Sequence, residues 1–192
     1  MSVRLSLILA TSGRVDLALA VHAAKGQLVD GDELLIVGGG TWAEAVAFWA
    51  GARHVPHAPG GDWGNTERNT AMPLATGTHL LFIDDDDALT PGALAAIRAA
   101  VAEAPARCHV FRMITPEGLV LPLRPVVAQG NLGTPMFVAP NVPEKLGRWS
   151  ARYEGDFDYI VSTLTHYPDG PVWHHPITYA CRVQGRRAWG LA

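Results

Sequence analysis

The chain is sparing with charge and with cysteine. Charged side chains make up 17% of its 192 residues, the formal net charge is −3, and no basic tract occurs. That excludes a large surface for unaided nucleic-acid binding, though not a local basic pocket. Two cysteines, Cys108 and Cys181, supply neither a disulfide framework nor zinc-ligand spacing. Both lie in apolar, strand-like runs, so buried free thiols and a reducing, cytoplasmic location are expected. No apolar run is long enough to cross a membrane. Leu5 to Ala10 is too short for that and short for a signal-peptide core, and Thr11-Ser12-Gly13-Arg14 follows in place of a cleavage site. An integral membrane segment is therefore not expected. A Walker loop, internal repeats, low-complexity segments and an interdomain linker are also missing.

What is present is apolar and orderly. Hydrophobic residues reach 48%, enough for one domain with a sizeable core. Val3 to Ala10 reads as a buried strand. Val15 to Ala24 reads as a helix carrying Val15, Leu19 and His22 among alanines. Glu33 to Val37 is a second buried strand ending in Gly38-Gly39-Gly40. Trp42 to Ala50 is a second helix, and a short extended piece follows near His54 to His57. Continuous apolar strands alternating with helices predict a parallel sheet covered on both faces. Ligands of such sheets bind beyond the carboxyl ends of the strands, where Thr11, Gly38 and Asp84 fall. Gly60 and Gly61 read as turn glycines.

Glu67 to Thr76 looks helical up to Pro73. Pro91 to Glu103 is the clearest helix, with Thr90 as its N-cap and Pro91 at its first position. Cys108 to Ile114 and Leu119 to Leu123 predict a hairpin, so the second half turns antiparallel. Pro135 to Ala139 is a short strand, Val142 to Trp149 a short helix, Tyr159 to His166 a further helix, and Ile177 to Val183 a final strand. Arg186 and Arg187 stand in a polar tail.

The chemistry concentrates where the strand Leu80-Leu81-Phe82-Ile83 runs into Asp84-Asp85-Asp86-Asp87. Two unit charges ~4 Å apart repel by ~4 kcal/mol at an effective dielectric near 20. Such a cluster calls for water, a helix N-terminus or a cation. Hard divalent ions prefer carboxylate oxygens and often share them with substrate phosphates. A helix-start role is the plain alternative. A calcium EF-hand is excluded, because Leu89 stands in its glycine place and Ala95 in its terminal glutamate place.

These pieces together resemble the family 2 glycosyltransferases and their GT-A fold. The resemblance rests on Leu5 to Thr11, then Glu67-Arg68-Asn69, then Ala75-Thr76-Gly77 leading through the apolar strand to Asp84-Asp85-Asp86-Asp87, and on the later Asp156-Phe157-Asp158. It implies a Rossmann-like α/β sandwich, mostly parallel in its central sheet, with a smaller antiparallel C-terminal part. The chain would form one domain, with residues 1–105 as the nucleotide-sugar half and 106–192 as the acceptor half. The implied activity is metal-dependent, inverting sugar transfer from a nucleoside-diphosphate sugar to an acceptor hydroxyl. Asp156 would be the catalytic base, with Asp158 as competitor. Thr11, Ser12, Arg14, Gly38, Gly39, Arg68, Asn69, Asp84 and Asp85 would hold the nucleotide sugar. Asp86 and Asp84, joined by His174 or His175, would hold Mn²⁺ or Mg²⁺. Asp85 and Asp87 are support groups or solvated turn charges in equal measure.

Two departures from the family pattern stand out. Gly38-Gly39-Gly40 occupies the place of a base-contacting acid, and Gly155-Asp156 that of a common Glu-Asp pair. Arg68 would otherwise be a surface ion pair, and Asn69 would orient the acidic strand or cap a turn. Trp63 and Trp149 are either an acceptor platform or packing residues. His22, His54, His57, His79 and His109 are read as structural. Two rivals are a sugar-phosphate nucleotidyltransferase, for whose activating loop Thr11 to Arg14 is too short, and a non-catalytic nucleotide- or metal-binding module. The small acceptor half implies a small acceptor, or one held by its own surface or by a partner subunit such as a second copy of the chain.

Overall fold

The structure, a computed structural model, describes residues 2–181. Its centre is a nine-stranded sheet of order β3-β2-β1-β4-β8-β6-β9-β5, with β7 paired to β6. Strands β1 (Leu5–Thr11), β2 (Glu33–Gly38), β3 (Arg53–Val55) and β4 (His79–Asp84) are mutually parallel. β1 is buried along its whole length and β2 and β4 nearly so. That follows from their unbroken apolar sequences, since both faces of the sheet are covered. The register sets Thr11 level with Gly38, and Ala10 level with Asp84. The first-half strand ends thus share one edge, as expected.

Helices α1 (Leu17–Lys25), α2 (Gly40–Ala50) and α4 (Ala93–Glu103) pack on one face, in a core with Leu7, Leu9, Ile36 and Ile83. Helices α3 (Asn65–Ala71) and α5 (Gly155–Leu164) cover the other, around Ile8, Phe82, Phe137 and Tyr159. The second half adds β5 (Ala88–Leu89), β6 (His109–Ile114), β7 (Val120–Leu121), β8 (Phe137–Pro140) and β9 (Val172–Ala180). β8 runs antiparallel to β4 and β6, and β7 pairs back on β6 as the expected hairpin. The fold is the expected mixed α/β sandwich.

Several local expectations are corrected. Helix α1 buries Leu17, Ala20, Val21 and Ala24, while Val15, Leu19 and His22 face outward. Its inner face combines Leu17 and Val21 with Ala20 and Ala24, and the expected Val15, Leu19 and His22 stripe lies on the other side. Thr90 is not a helix cap. Its hydroxyl donates to Ile177 O at 2.7 Å and its N–H to Thr178 O at 3.1 Å, tying it to β9, and Gly92 at φ 78° starts α4 instead. Val142 to Trp149 holds only a 3-10 turn at Pro143–Lys145. Beyond it Gly147 lies so flat on α5 that an added Cβ would fall 2.6 Å from Tyr159 O. Strand β9 begins earlier than Ile177. The expected Arg182-Val183 strand end and the tail with Arg186 and Arg187 lie outside the described residues. Cys108 is a buried free thiol and Cys181 a half-buried one.

Candidate active site

The carboxyl ends of β1 and β4 open into a cavity of about 790 Å³. One wall is the acidic strand end. Burial alternates along it, with Asp85 and Asp87 buried and Asp84 and Asp86 half-buried, through a turn closed by Asp87 N donating to Asp84 O at 3.3 Å. Neither Asp85 nor Asp87 is a solvated turn charge. Thr11 donates its hydroxyl to Asp85 Oδ2 at 2.6 Å and accepts from Gly13 N at 2.9 Å. Arg14 pairs with Asp86 at 2.9 Å, and the buried Arg68 pairs with Asp84. Arg68 also donates to Trp63 O at 2.8 Å and stacks its guanidinium 4.7 Å over the Trp149 ring. It is therefore no surface ion pair. Burial first, and neighbouring carboxylates after it, push the Asp85 and Asp86 carboxyls above their ordinary range, against the pull of Thr11 and Arg14.

The opposite wall carries Asp156, beside Gly133 and Thr134. It opens α5, where Phe157 N donates to its Oδ1 at 2.7 Å. Burial, with a smaller contribution from the Asp84 charge, raises its carboxyl above the usual range. Asp158 has a different environment. It is held by Arg152 and Ser150, which drive it down to about 2, and it does not line the cavity. Of the two acids in the late motif, only Asp156 meets the acidic strand end across open space.

The remaining candidates divide. Thr11, Ser12, Arg14, Arg68, Asp84, Asp85 and Asp86 all line the cavity. Gly38, Gly39, Asn69, His174 and His175 do not. Gly38 and Gly39 are left-handed, and a Cβ on Gly38 would fall 2.6 Å from Thr11 O. They let two strand ends approach rather than face a ligand. Asn69 bonds both ways to the Trp149 backbone, Nδ2 to O at 2.8 Å and N to Oδ1 at 3.1 Å. It fastens the chain that leads to Asp156 instead of orienting the acidic strand. His174 pairs with His109 at 2.9 Å and stacks on Phe111. The reason is strand direction. β9 is parallel to β6, and β6 and β4 each run antiparallel to β8. The amino half of β9, with both histidines, thus points away from the Asp84 edge, whereas Tyr179 near its carboxyl end accepts from Asp84 N at 2.8 Å.

Asn65, one helical turn before Asn69, was missed. Its amide donates to Ser150 O and Arg152 O, both at 2.9 Å. Two asparagines four residues apart lie on one helical face, and that spacing was the available signal. Glu67 was also missed as a wall residue. It is buried, lines the cavity and accepts from Gly60 N at 2.9 Å. Trp149 is a packing residue, stacked on Tyr159 and edge-on to Phe82. Trp63 stands exposed on the rim, edge-on to Tyr153 at 5.6 Å.

Among the described residues no group of three or more His, Cys, Asp or Glu side chains gathers into a closed metal centre. Asp84 and Asp86 nonetheless suit a hard divalent ion that completes its shell with water and substrate phosphate. Two carboxylates facing one cavity, with a third acid buried beside them, are the appropriate donor set.

No protein-family model and no curated protein matches the chain by sequence. Solved structures do match. TarS residues 1–349 from S. aureus, crystallised with UDP-GlcNAc, superposes with a TM-score of 0.75 at 13% identity, over 98% of this chain and 61% of that one. A longer TarS structure matches at 0.73 and 14% identity, over 94% of this chain and 37% of its own. Glucosyl-3-phosphoglycerate synthase from Mycobacterium tuberculosis, with Mn²⁺, UDP and glucosyl-3-phosphoglycerate, matches at 0.65 and 17% identity, over 95% and 73%. This chain thus spans less than two thirds of either TarS structure. These likenesses show that the fold is GT-A.

Proposed function

We propose that the chain is a metal-dependent, inverting glycosyltransferase that moves a sugar from a nucleoside-diphosphate sugar to an acceptor hydroxyl. The observation that carries this reading is one cavity with a cation-seeking carboxylate pair, Asp84 and Asp86, on one wall and an unpaired-to-arginine acid, Asp156, on the other. The fold adds that the structures it resembles were crystallised with UDP, UDP-GlcNAc, Mg²⁺ or Mn²⁺.

In this reading Asp84 and Asp86 hold Mn²⁺ or Mg²⁺, which supplies Lewis-acid stabilisation of the charge left on the departing diphosphate. Arg14 and Arg68 neutralise the same carboxylates and turn their guanidinium groups to phosphate oxygens as donor arrives. Thr11 keeps Asp85 in place through its hydroxyl bond, and Ser12 borders the donor. Asp156 takes the proton from the acceptor hydroxyl as the oxygen attacks the anomeric carbon. Its raised affinity for a proton suits a base. A single in-line displacement inverts the anomeric centre. Among the described residues no helix is long and apolar enough to cross a membrane. Location in the cytoplasm fits the free thiols.

Calorimetric titration of UDP, with and without Mn²⁺, tests the donor half. Uptake that needs Mn²⁺ and is lost in Asp86→Ala is expected. Equal uptake without metal, or a transfer product of retained configuration, would sink the proposal.

A further inference from the structure

Away from the cavity, helices α1 and α2 present an apolar face that nothing in the described structure covers. Phe48 is 89% exposed, Val15 80%, Leu19 and Trp49 55% each, and Trp42 44%. Between the helices lies a groove of about 390 Å³, lined by Leu19, His22, Trp42, Trp49 and small neighbours. Such rings offer roughly 100–200 Å² each at these exposures. With the two aliphatic side chains they make on the order of 600 Å², at the upper limit of what a monomer leaves to water. That is most of the ~800 Å² each partner contributes to a standard interface.

We infer that this face is the contact of a homodimer, in which the α1–α2 pair of one copy packs on that of another about a two-fold axis. Three observations select a second copy. The face is rich in tryptophan and phenylalanine and poor in charge, the composition of an interface core. Its exposed area, set against the ~800 Å² that each half of a standard interface supplies, is large enough for a second copy of the same face to complete it in an isologous contact. And among the described residues it lacks the basic fringe that would hold an anionic lipid surface. Lys25 is its nearest ammonium, and it is engaged with Trp49, bonded to the carbonyl at 2.8 Å and 4.5 Å above the ring. Asp16 and Glu44 add negative charge to the same helices.

The contact also reaches the cavity. Trp42 Nε1 donates to Arg14 O at 3.0 Å, and Arg14 pairs with Asp86. Dimerisation would steady the loop that carries Arg14.

Sedimentation velocity on the full chain, from nanomolar to high micromolar, is the test. Twice the 20.5 kDa chain mass is expected at the upper end. Phe48→Glu and, separately, Val15→Glu should weaken association at least ~30-fold, as loss of a hot spot does, with unchanged circular dichroism. Both side chains are outside the core, and either variant alone decides if the other fails to fold. A wild-type monomer at every concentration overturns the inference. So does a dimer that survives both substitutions, or a monomer that floats with phosphatidylcholine–phosphatidylglycerol vesicles.

Discussion

Asp156→Asn separates catalysis from folding more cleanly than any other change in this molecule. The carboxyl sits in the cavity wall, raised by burial and by the Asp84 charge, with only backbone N–H groups and a distant Arg68 to oppose them. An amide keeps the size and the oxygen that accepts from Phe157 N at 2.7 Å. It cannot take a proton. Loss of a general base costs about 10²–10⁴ in rate, which is about 3–5 kcal/mol of transition-state stabilisation. Stability should move the other way. A carboxyl with a raised folded value favours its neutral form in the native state. Its ionised form therefore withdraws stability as pH rises from the unfolded value near 4 through the folded one. The variant escapes this and should melt at the wild-type temperature or above at pH 7, with the advantage vanishing at pH 3. Transfer assays, UDP calorimetry and thermal melts at both pH values check it. Retained turnover removes Asp156 from the reaction. A lower melting point at pH 7 refutes the electrostatic reasoning, whatever the activity does.

Asp158→Asn should do the reverse, leaving turnover within a few-fold of wild type while lowering the melting point at pH 7. Because Asp158 is held down near 2 by Arg152 and Ser150, its stabilisation is present above the unfolded value and fades as pH falls towards 2, which melts at stepped pH will show. The double variant His174→Ala/His175→Ala should leave Mn²⁺-dependent nucleotide binding unchanged, since both residues sit away from the Asp84 edge. Calorimetry giving a tenfold weaker Mn²⁺ dependence would return one of them to the metal. Gly39→Ala should cost about 1–3 kcal/mol in denaturant unfolding, because its Cβ would stand 2.7 Å from Ala43 Cβ and 2.8 Å from Thr11 Cγ2 at φ 73°.

The parallel half of the fold was legible because it is buried on both faces. Leu5 to Thr11 and His79 to Ile83 have no polar alternation to confuse them, and the acidic run marks where β4 meets water. The candidates that fall in the cavity are those at strand ends, Thr11, Ser12, Arg14 and Asp84 to Asp86, together with Arg68 and Asp156, which were read from motif order. What resisted reading depends on partners distant in sequence. Thr90 carries a capping residue's signature but is bound by β9. Asn69 reaches a backbone eighty residues away, so its role is invisible until α3 and the 149–152 segment are set side by side. His174 and His175 were placed near the metal by order in the chain alone, whereas their position follows from the direction in which β9 runs. The outward turn of Val15 and Leu19 was hidden by the assumption that the largest apolar groups mark the inner face. In α1 a second stripe of the same helical period, Leu17, Ala20, Val21 and Ala24, takes the inner face.

Metal dependence follows from the charge arrangement on the proposed reading, without appeal to any other protein. Asp84 and Asp86 are each matched by one guanidinium, while Asp85 accepts a neutral hydroxyl and only shares the charge of Arg14 with Asp86. The wall is therefore net negative before a ligand approaches. A sugar diphosphate brings two further negative charges. Set about 4 Å from a carboxylate, each would meet roughly 4 kcal/mol of repulsion at an effective dielectric near 20. Arg14 and Arg68 cannot relieve both sides at once, since every contact given to phosphate is taken from Asp84 or Asp86. A divalent cation removes the conflict by neutralising the diphosphate while satisfying the carboxylates that the arginines leave.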